Sequence, residues 1–213
     1  MGVYKSPYVH QIQALESFYK NRDLFVATGT GSGKTECFMW PMVTKLINEA
    51  KNNTNTWKQR GVRAMMLYPM NALVSDQLGR LRRMIGTLSF YDMFVEYTGV
   101  TRRPQFGMYT GRTPYAGEIR REQDKALSET LRSNLIARDE ETVSQLKKMG
   151  KFPAKYDMQK FTDDLLEGRH LTDNRDAEMI TRFEMQEHTP DILITNYSML
   201  EYMLMRQEEQ SIW

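Results

Sequence analysis

Cysteine is nearly absent. Cys37 is the one thiol in 213 residues, so neither a disulfide framework nor a thiolate metal cluster can form within the chain. That fits a reducing compartment and a cytoplasmic protein. Long apolar runs are missing too: no stretch approaches the roughly 20 residues that a membrane-spanning helix needs. Met1-Gly2-Val3-Tyr4-Lys5 has no apolar segment behind it that would make a signal peptide, and no membrane partner is expected. Nor does one sign of charge dominate. Twenty-nine Lys and Arg against 27 Asp and Glu leave +2, so any basic surface must be local. There is no internal repeat and no low-complexity tract. What remains is an ordinary soluble composition, 40% hydrophobic and 26% charged, with enough chain to bury a core.

Hydrophobic spacing places a helix over Tyr8–Lys20, with Ile12, Leu15, Phe18 and Tyr19 in helical phase. Asp23–Thr28 is short and almost wholly apolar, the pattern of a strand buried on both faces of a parallel sheet. A second helix starts at Thr35 and carries Pro41, which should remove one backbone bond and kink it. Lys51–Gln59 reads as a loop. Val62–Tyr68 is the next buried strand and Ala72–Ile85 the next helix; Met93–Tyr97 and Phe106–Tyr109 are weaker strand candidates. From Gly117 to about Met185 the chain is charged and helical, broken at Gly150-Lys151-Phe152-Pro153. Asp191–Thr195 is a last buried strand and Tyr197–Arg206 a helix. Strand–helix alternation implies an α/β fold with a parallel sheet.

The strongest local pattern is Thr28-Gly29-Thr30-Gly31-Ser32-Gly33-Lys34-Thr35 between a strand candidate and a helix. Successive N–H groups in a tight glycine turn form an anion nest, and the following helix start adds partial positive charge. Thr30, Gly31, Ser32 and Gly33 would wrap the phosphates of a nucleoside triphosphate, Lys34 would reach the β and γ groups, and the Thr35 hydroxyl would ligate Mg²⁺. Threonine stands at position 28 where the strict pattern has glycine; Gly29, Gly31 and Gly33 still supply the turn. Cys37, on that helix, reads as a small core residue.

Several flanking segments resemble superfamily-two helicases in order and spacing. Tyr8-Val9-His10-Gln11 resembles their glutamine motif, in which Gln11 would pair with adenine through its donor and acceptor; Gln13 is the competing candidate. Leu67 through Gln77 resembles motif Ia, with Pro69, Leu73 and Asp76-Gln77 at family spacing and Met70 where threonine is usual. Asn71 and the helix start would bind backbone phosphate, with Gln77 and Arg80 nearby. Arg82 and Arg83 lie on the same helix, as phosphate contacts or simply a solvated face. Tyr109-Thr110-Gly111-Arg112-Thr113 looks like the Thr-Gly segment that follows. Arg102, Arg103, Arg112, Arg120 and Arg121, interleaved with Tyr109 and Tyr115, suit single-stranded nucleic acid. Pro190 through Leu200 resembles the motif Ib region, with Thr195 or Asn196 meeting a backbone phosphate of the strand.

The resemblance is greatest to bacterial and archaeal DEAD/DEAH-box helicases. It implies the ATP-binding part of a RecA-like motor domain: an ATP-dependent helicase or translocase using ATP and Mg²⁺ on single-stranded DNA or RNA, DNA favoured. It covers residues 8 to about 85 well, and 106–114 and 182–206 in part. Residues 115–181 match no motif and read as a helical insertion within a partial domain spanning 1–213. The family's Asp-Glu-x-His carboxylates, which activate water beside Mg²⁺, are not among these residues. Asp139-Glu140 lies in a polar helical stretch and does not substitute. No catalytic set is complete, so the isolated polypeptide is expected to bind without turnover. The rest of a helicase, or a complementing chain, would supply the remainder. The alternative is a truncated module that holds ATP or nucleic acid for such a partner.

Overall fold

A computed structural model of the chain describes residues 6–115 and 117–213. It divides into two compact units, Met1–Lys58 and Gln59–Trp213.

The first unit is helical. Helix α1 (Val9–Tyr19) packs against α2 (Glu36–Asn52), and a single turn, α3 (Thr54–Lys58), follows. Apolar residues in helical phase (Ala14, Cys37, Met39, Val43, Leu46 and Ala50) are buried, so Cys37 is the core residue its position suggested. The expected loop at 51–59 is mostly helix, because Trp57 is drawn into the core and winds its own segment around it. Helix α2 runs on through Pro41. Proline leaves the Cys37 carbonyl without its ladder donor, and one turn on Thr44 Oγ1 donates to the Trp40 and Pro41 carbonyls at 2.7 and 3.0 Å. The buried strand expected at Asp23–Thr28 does not form: these residues belong to no ladder, and Phe25 is 92% exposed. An apolar sequence becomes a strand only beside a neighbour that offers N–H and C=O groups, and among the described residues none does.

The second unit is built on four parallel strands, β1 (Ala64–Tyr68), β2 (Phe106–Tyr109), β3 (Glu178–Met179) and β4 (Ile192–Asn196), in the order β1-β4-β2-β3. Strand β4 is central and almost wholly buried, as its unbroken Ile-Leu-Ile run demands. Asp191 ties together the amino ends of the three long strands. Fully buried, it accepts from Arg63 at 2.9 Å, Arg102 at 2.7 Å and the Gln105 N–H at 2.9 Å. Helices α4 (Asn71–Met84) and α10 (Tyr197–Met205) follow β1 and β4 directly, and the short helix α9 (Arg182–Glu187) follows β3. Met93–Tyr97, a strand candidate by composition, lies inside helix α5 (Leu88–Thr98). Local signals win there: Thr87 caps the Phe90 N–H, Phe90 stacks on Phe94 one turn later at 6.2 Å, and Gly99 ends the helix with a φ of 73°.

Residues 115–181 are largely helical, with α6 (Arg121–Leu131), a π-helical turn (Arg132–Ile136), α7 (Glu140–Lys148) and α8 (Met158–Leu166). Met158, Phe161 and Leu165 form their local core. The stretch is fastened to α4. Gly79 and Gly150 lie so close that a Cβ on Gly150 would stand 2.2 Å from the Gly79 carbonyl. Arg82 makes a two-pronged bond to Glu178 of β3 at 2.5 and 2.7 Å and donates to the Gly150 carbonyl. Lys155, wholly buried, bonds both Asp176 and Glu184. The short strand β3 was not anticipated; two residues are too few to carry a pattern. No helix among the described residues is long and apolar enough to cross a membrane.

Candidate nucleotide and nucleic-acid sites

In the first unit, residues 28–35 form a turn in which Gly31 and Gly33 take φ values of 77° and 74°, conformations that side chains resist. Ser32 Oγ donates to the Gly29 carbonyl at 2.8 Å and shares a 2.6 Å hydrogen bond with Thr28 Oγ1. That contact gives the non-glycine residue at 28 a structural use. Lys34 Nζ folds back onto the Thr28 and Gly29 carbonyls at 2.8 and 2.6 Å, so its ammonium already lies over the turn that would receive phosphate. Thr30 is exposed at the tip. Thr35 opens α2 with helical dihedrals, and its hydroxyl is not spent capping the helix, which suits a Mg²⁺ ligand.

Gln11 is fully buried against this turn. Its Oε1 accepts the Tyr8 N–H at 2.9 Å and its Nε2 donates to the Gly33 carbonyl at 3.0 Å. Half of the amide's hydrogen-bonding capacity is therefore engaged by the protein, leaving one donor and one acceptor position. A Cβ on Gly33 would lie 2.4 Å from Gln11 Nε2, so glycine is required at 33 for closeness as well as dihedral. His10, which the sequence did not single out, reaches the same turn: its Nε2 is 2.9 Å from the Ser32 carbonyl. Its position beside Gln11 was the only available signal.

In the second unit, register aligns the remaining residues at the carboxyl ends of the strands. Tyr68 pairs with Asn196, and Tyr109 with Thr195. Ligands of open parallel sheets bind at that edge. Asn196 Nδ2 donates to Asn71 Oδ1 at 2.6 Å, while its own Oδ1 caps α10 at the Met199 N–H, 2.8 Å away. One asparagine thus joins the starts of α4 and α10, side by side. Pro69, Gly111 and Arg112 are exposed. Thr110 and Thr195 are buried: Thr195 Oγ1 donates to the Tyr109 carbonyl at 2.6 Å, and Thr110 Oγ1 accepts the Arg112 N–H at 3.2 Å. Gln77 is also buried within α4, and Arg80 pairs with Asp76 at 3.2 Å on the same helix.

The basic, aromatic surface expected at 102–121 is smaller than its composition suggested. Arg102 is consumed by Asp191, and Arg103, buried, donates to the Ile85 and Thr87 carbonyls. Tyr109 and Tyr115 are buried, and burial with a bond to the Glu209 carboxylate keeps the Tyr109 phenol protonated far above its usual range. Exposed arginines here are Arg112, Arg120 and Arg121. Arg82 is engaged by Glu178 and the Gly150 carbonyl, and Arg83 Nη1 donates to the Met149 carbonyl at 2.8 Å. The sequence shows charge but not its partner, and long-range partners took four of these arginines.

A DEAD/DEAH box helicase family model matches residues 8–116, half of the chain, a span that holds the glycine turn with Lys34 and Thr35 and the strands β1 and β2. The chain belongs to the DEAD/DEAH box helicase family. Its four-stranded parallel sheet with helices is an incomplete RecA-like α/β fold. Over its whole length the chain is 40% identical to the Druantia protein DruE of Escherichia coli (strain UMEA 4076-1), spanning 13% of that protein. It is 31% identical over 44% of its length to the uncharacterised ATP-dependent helicase YprA of Bacillus subtilis, covering 11% of it. With the ATP-dependent RNA helicase DBP7 of Meyerozyma guilliermondii it shares 38% identity over 37% of its length, 10% of that protein. No solved structure matches.

Proposed function

We propose that residues 28–35 hold ATP with Mg²⁺ on Lys34 and Thr35, and that the carboxyl edge of the sheet holds a strand of single-stranded nucleic acid, DNA in preference to RNA. The observation that carries the reading is the turn itself, with two left-handed glycines and a lysine folded over its carbonyls. Phosphate would take over the ammonium from those carbonyls. At the sheet edge, the paired starts of α4 and α10, with Pro69, Asn71, Gly111, Arg112 and Asn196, form a surface suited to backbone phosphates. Gln77, Arg80, Thr110 and Thr195 shape that surface from within and beside it. The Thr195 hydroxyl proton is spent on the Tyr109 carbonyl, so it offers a ribose 2′-hydroxyl no donor, in keeping with a preference for DNA.

Residues 115–181 are, in this reading, an insertion that braces α4, and cytoplasmic helicase machinery is the setting. The 213 residues supply binding and not turnover. Asp139 of the Asp139-Glu140 pair is spent as the cap of α7, accepting the Thr142 N–H at 2.9 Å and hydroxyl at 2.7 Å. Turnover then needs carboxylates from the rest of a helicase or from a complementing chain. With a fluorescent ATP analogue, Lys34→Ala should weaken Mg²⁺-dependent binding about tenfold or more, the scale of one charge-assisted contact. Asn196→Ala should leave that value alone and weaken binding of a single-stranded DNA oligonucleotide, and the wild type should hold that oligonucleotide more tightly than its RNA counterpart. Nucleic-acid-stimulated phosphate release by the 213-residue polypeptide, abolished by Lys34→Ala, would overturn the binding-only assignment.

A further inference from the structure

His10 and Gln11 grip two successive carbonyls of the phosphate turn, those of Ser32 and Gly33, at 2.9 and 3.0 Å. The described chain has no cis peptide bond, and in a trans peptide the C=O and the following N–H point to opposite sides. Holding the Ser32 carbonyl toward α1 therefore turns the Gly33 N–H away from α1. Holding the Gly33 carbonyl turns the Lys34 N–H away in the same manner. Among the described residues neither N–H has a partner. Two adjacent N–H groups aimed outward together make the nest that accepts an anion.

We propose that His10 is a positioning residue for the nucleotide's phosphates, acting through the Ser32 carbonyl to aim the Gly33 N–H. A carbonyl can only accept, so the imidazole proton sits on Nε2. The ring is steadied by stacking on Tyr8, with centroids 5.4 Å apart and planes inclined by 13°. The start of α1 thereby becomes a strut for the phosphate turn, a role separate from any contact to the base.

This inference rests on the ATP reading above, and its test separates the two. Wild type, His10→Ala and His10→Gln would be titrated with a fluorescent ATP analogue and competed with inorganic tripolyphosphate or with adenosine. His10→Ala should weaken ATP and tripolyphosphate about three- to tenfold, the span of one neutral hydrogen bond, and leave adenosine unchanged. His10→Gln, which keeps a donor at similar reach, should recover most of the loss. Unchanged tripolyphosphate binding in His10→Ala, or an equal loss for adenosine, would overturn the positioning role. If wild type binds neither ATP nor tripolyphosphate, the ATP reading itself falls and takes this one with it.

Discussion

The phosphate turn and the sheet edge are built in opposite ways. The turn is eight consecutive residues whose outside supports, His10 and Gln11, lie 22 positions away; the groups proposed to meet its ligand are backbone N–H groups, Lys34 and Thr35. The edge is drawn from far apart: Asn71 meets Asn196 across 125 positions, and Thr195 reaches Tyr109 across 86. Its side chains bond one another and nearby backbone groups, and what they leave for a ligand is helix starts and exposed backbone. A turn of the first kind can fail at one residue. An edge of the second kind fails when the unit beneath it does.

The largest effect should therefore come from the packing under the edge. Lys155 is buried between Asp176 and Glu184, and Glu184 also accepts the N–H groups of Ile180 and Thr181 and the Thr172 hydroxyl. Lys155→Met leaves two buried carboxylates without their cation. Breaking a buried pair from one side costs about 3–5 kcal/mol, a large part of the roughly 5–15 kcal/mol that holds an ordinary domain. Urea unfolding followed by far-ultraviolet circular dichroism should show the midpoint of the second unit's transition falling sharply. A midpoint within experimental scatter of wild type would mean the network does not support that unit.

The same contrast explains what was legible in the sequence. Residues 28–35, the Ile192–Asn196 strand and α4 announce themselves through local pattern, because glycine dihedrals, apolar runs and helical phase are properties of neighbouring residues. Arg102, Arg103 and Tyr115 did not, since a charged or aromatic residue carries no local mark of the partner that buries it. Met93–Tyr97 misled because its β-formers were outvoted by a Thr87 cap and a Gly99 stop just outside the segment. Asp23–Thr28 misled differently: its sequence is that of a strand, but strand formation depends on a ladder partner. Thr195 and Asn196 were legible as a pair, yet their division of labour was not; one is buried on the Tyr109 carbonyl and the other bridges two helices.

A smaller, strictly local effect should follow Gly33→Ala. The new methyl would stand 2.4 Å from Gln11 Nε2 with the backbone at a φ of 74°. A side chain in that region costs about 1–3 kcal/mol, and the clash pushes Gln11 from the Gly33 carbonyl. Binding of a fluorescent ATP analogue should drop about tenfold or more, while the second unit's unfolding transition stays where it was. A drop in that transition comparable to the one caused by Lys155→Met would erase the distinction between the two constructions.

The smallest effect is a pH dependence confined to the second unit. His170 is buried against the Tyr115 and Phe183 rings, with Nε2 3.1 Å from Asp124 and Nδ1 3.3 Å from the Thr181 hydroxyl. Burial holds the imidazole below its ordinary value, and the carboxylates of Asp124, Glu184 and Glu187 only partly offset this. Because the folded state resists the proton that the unfolded chain accepts near pH 6.5, stability is full above that pH. It is lost as pH falls toward the lower folded value. The second unit's urea midpoint should decline between pH 7.5 and 5.5, and His170→Phe, which keeps the ring packing and removes the titration, should flatten that decline. An unchanged slope in the variant would place the pH dependence in groups other than His170. Acid sensitivity would then be a property of the whole edge-bearing unit and not of the His170 pocket.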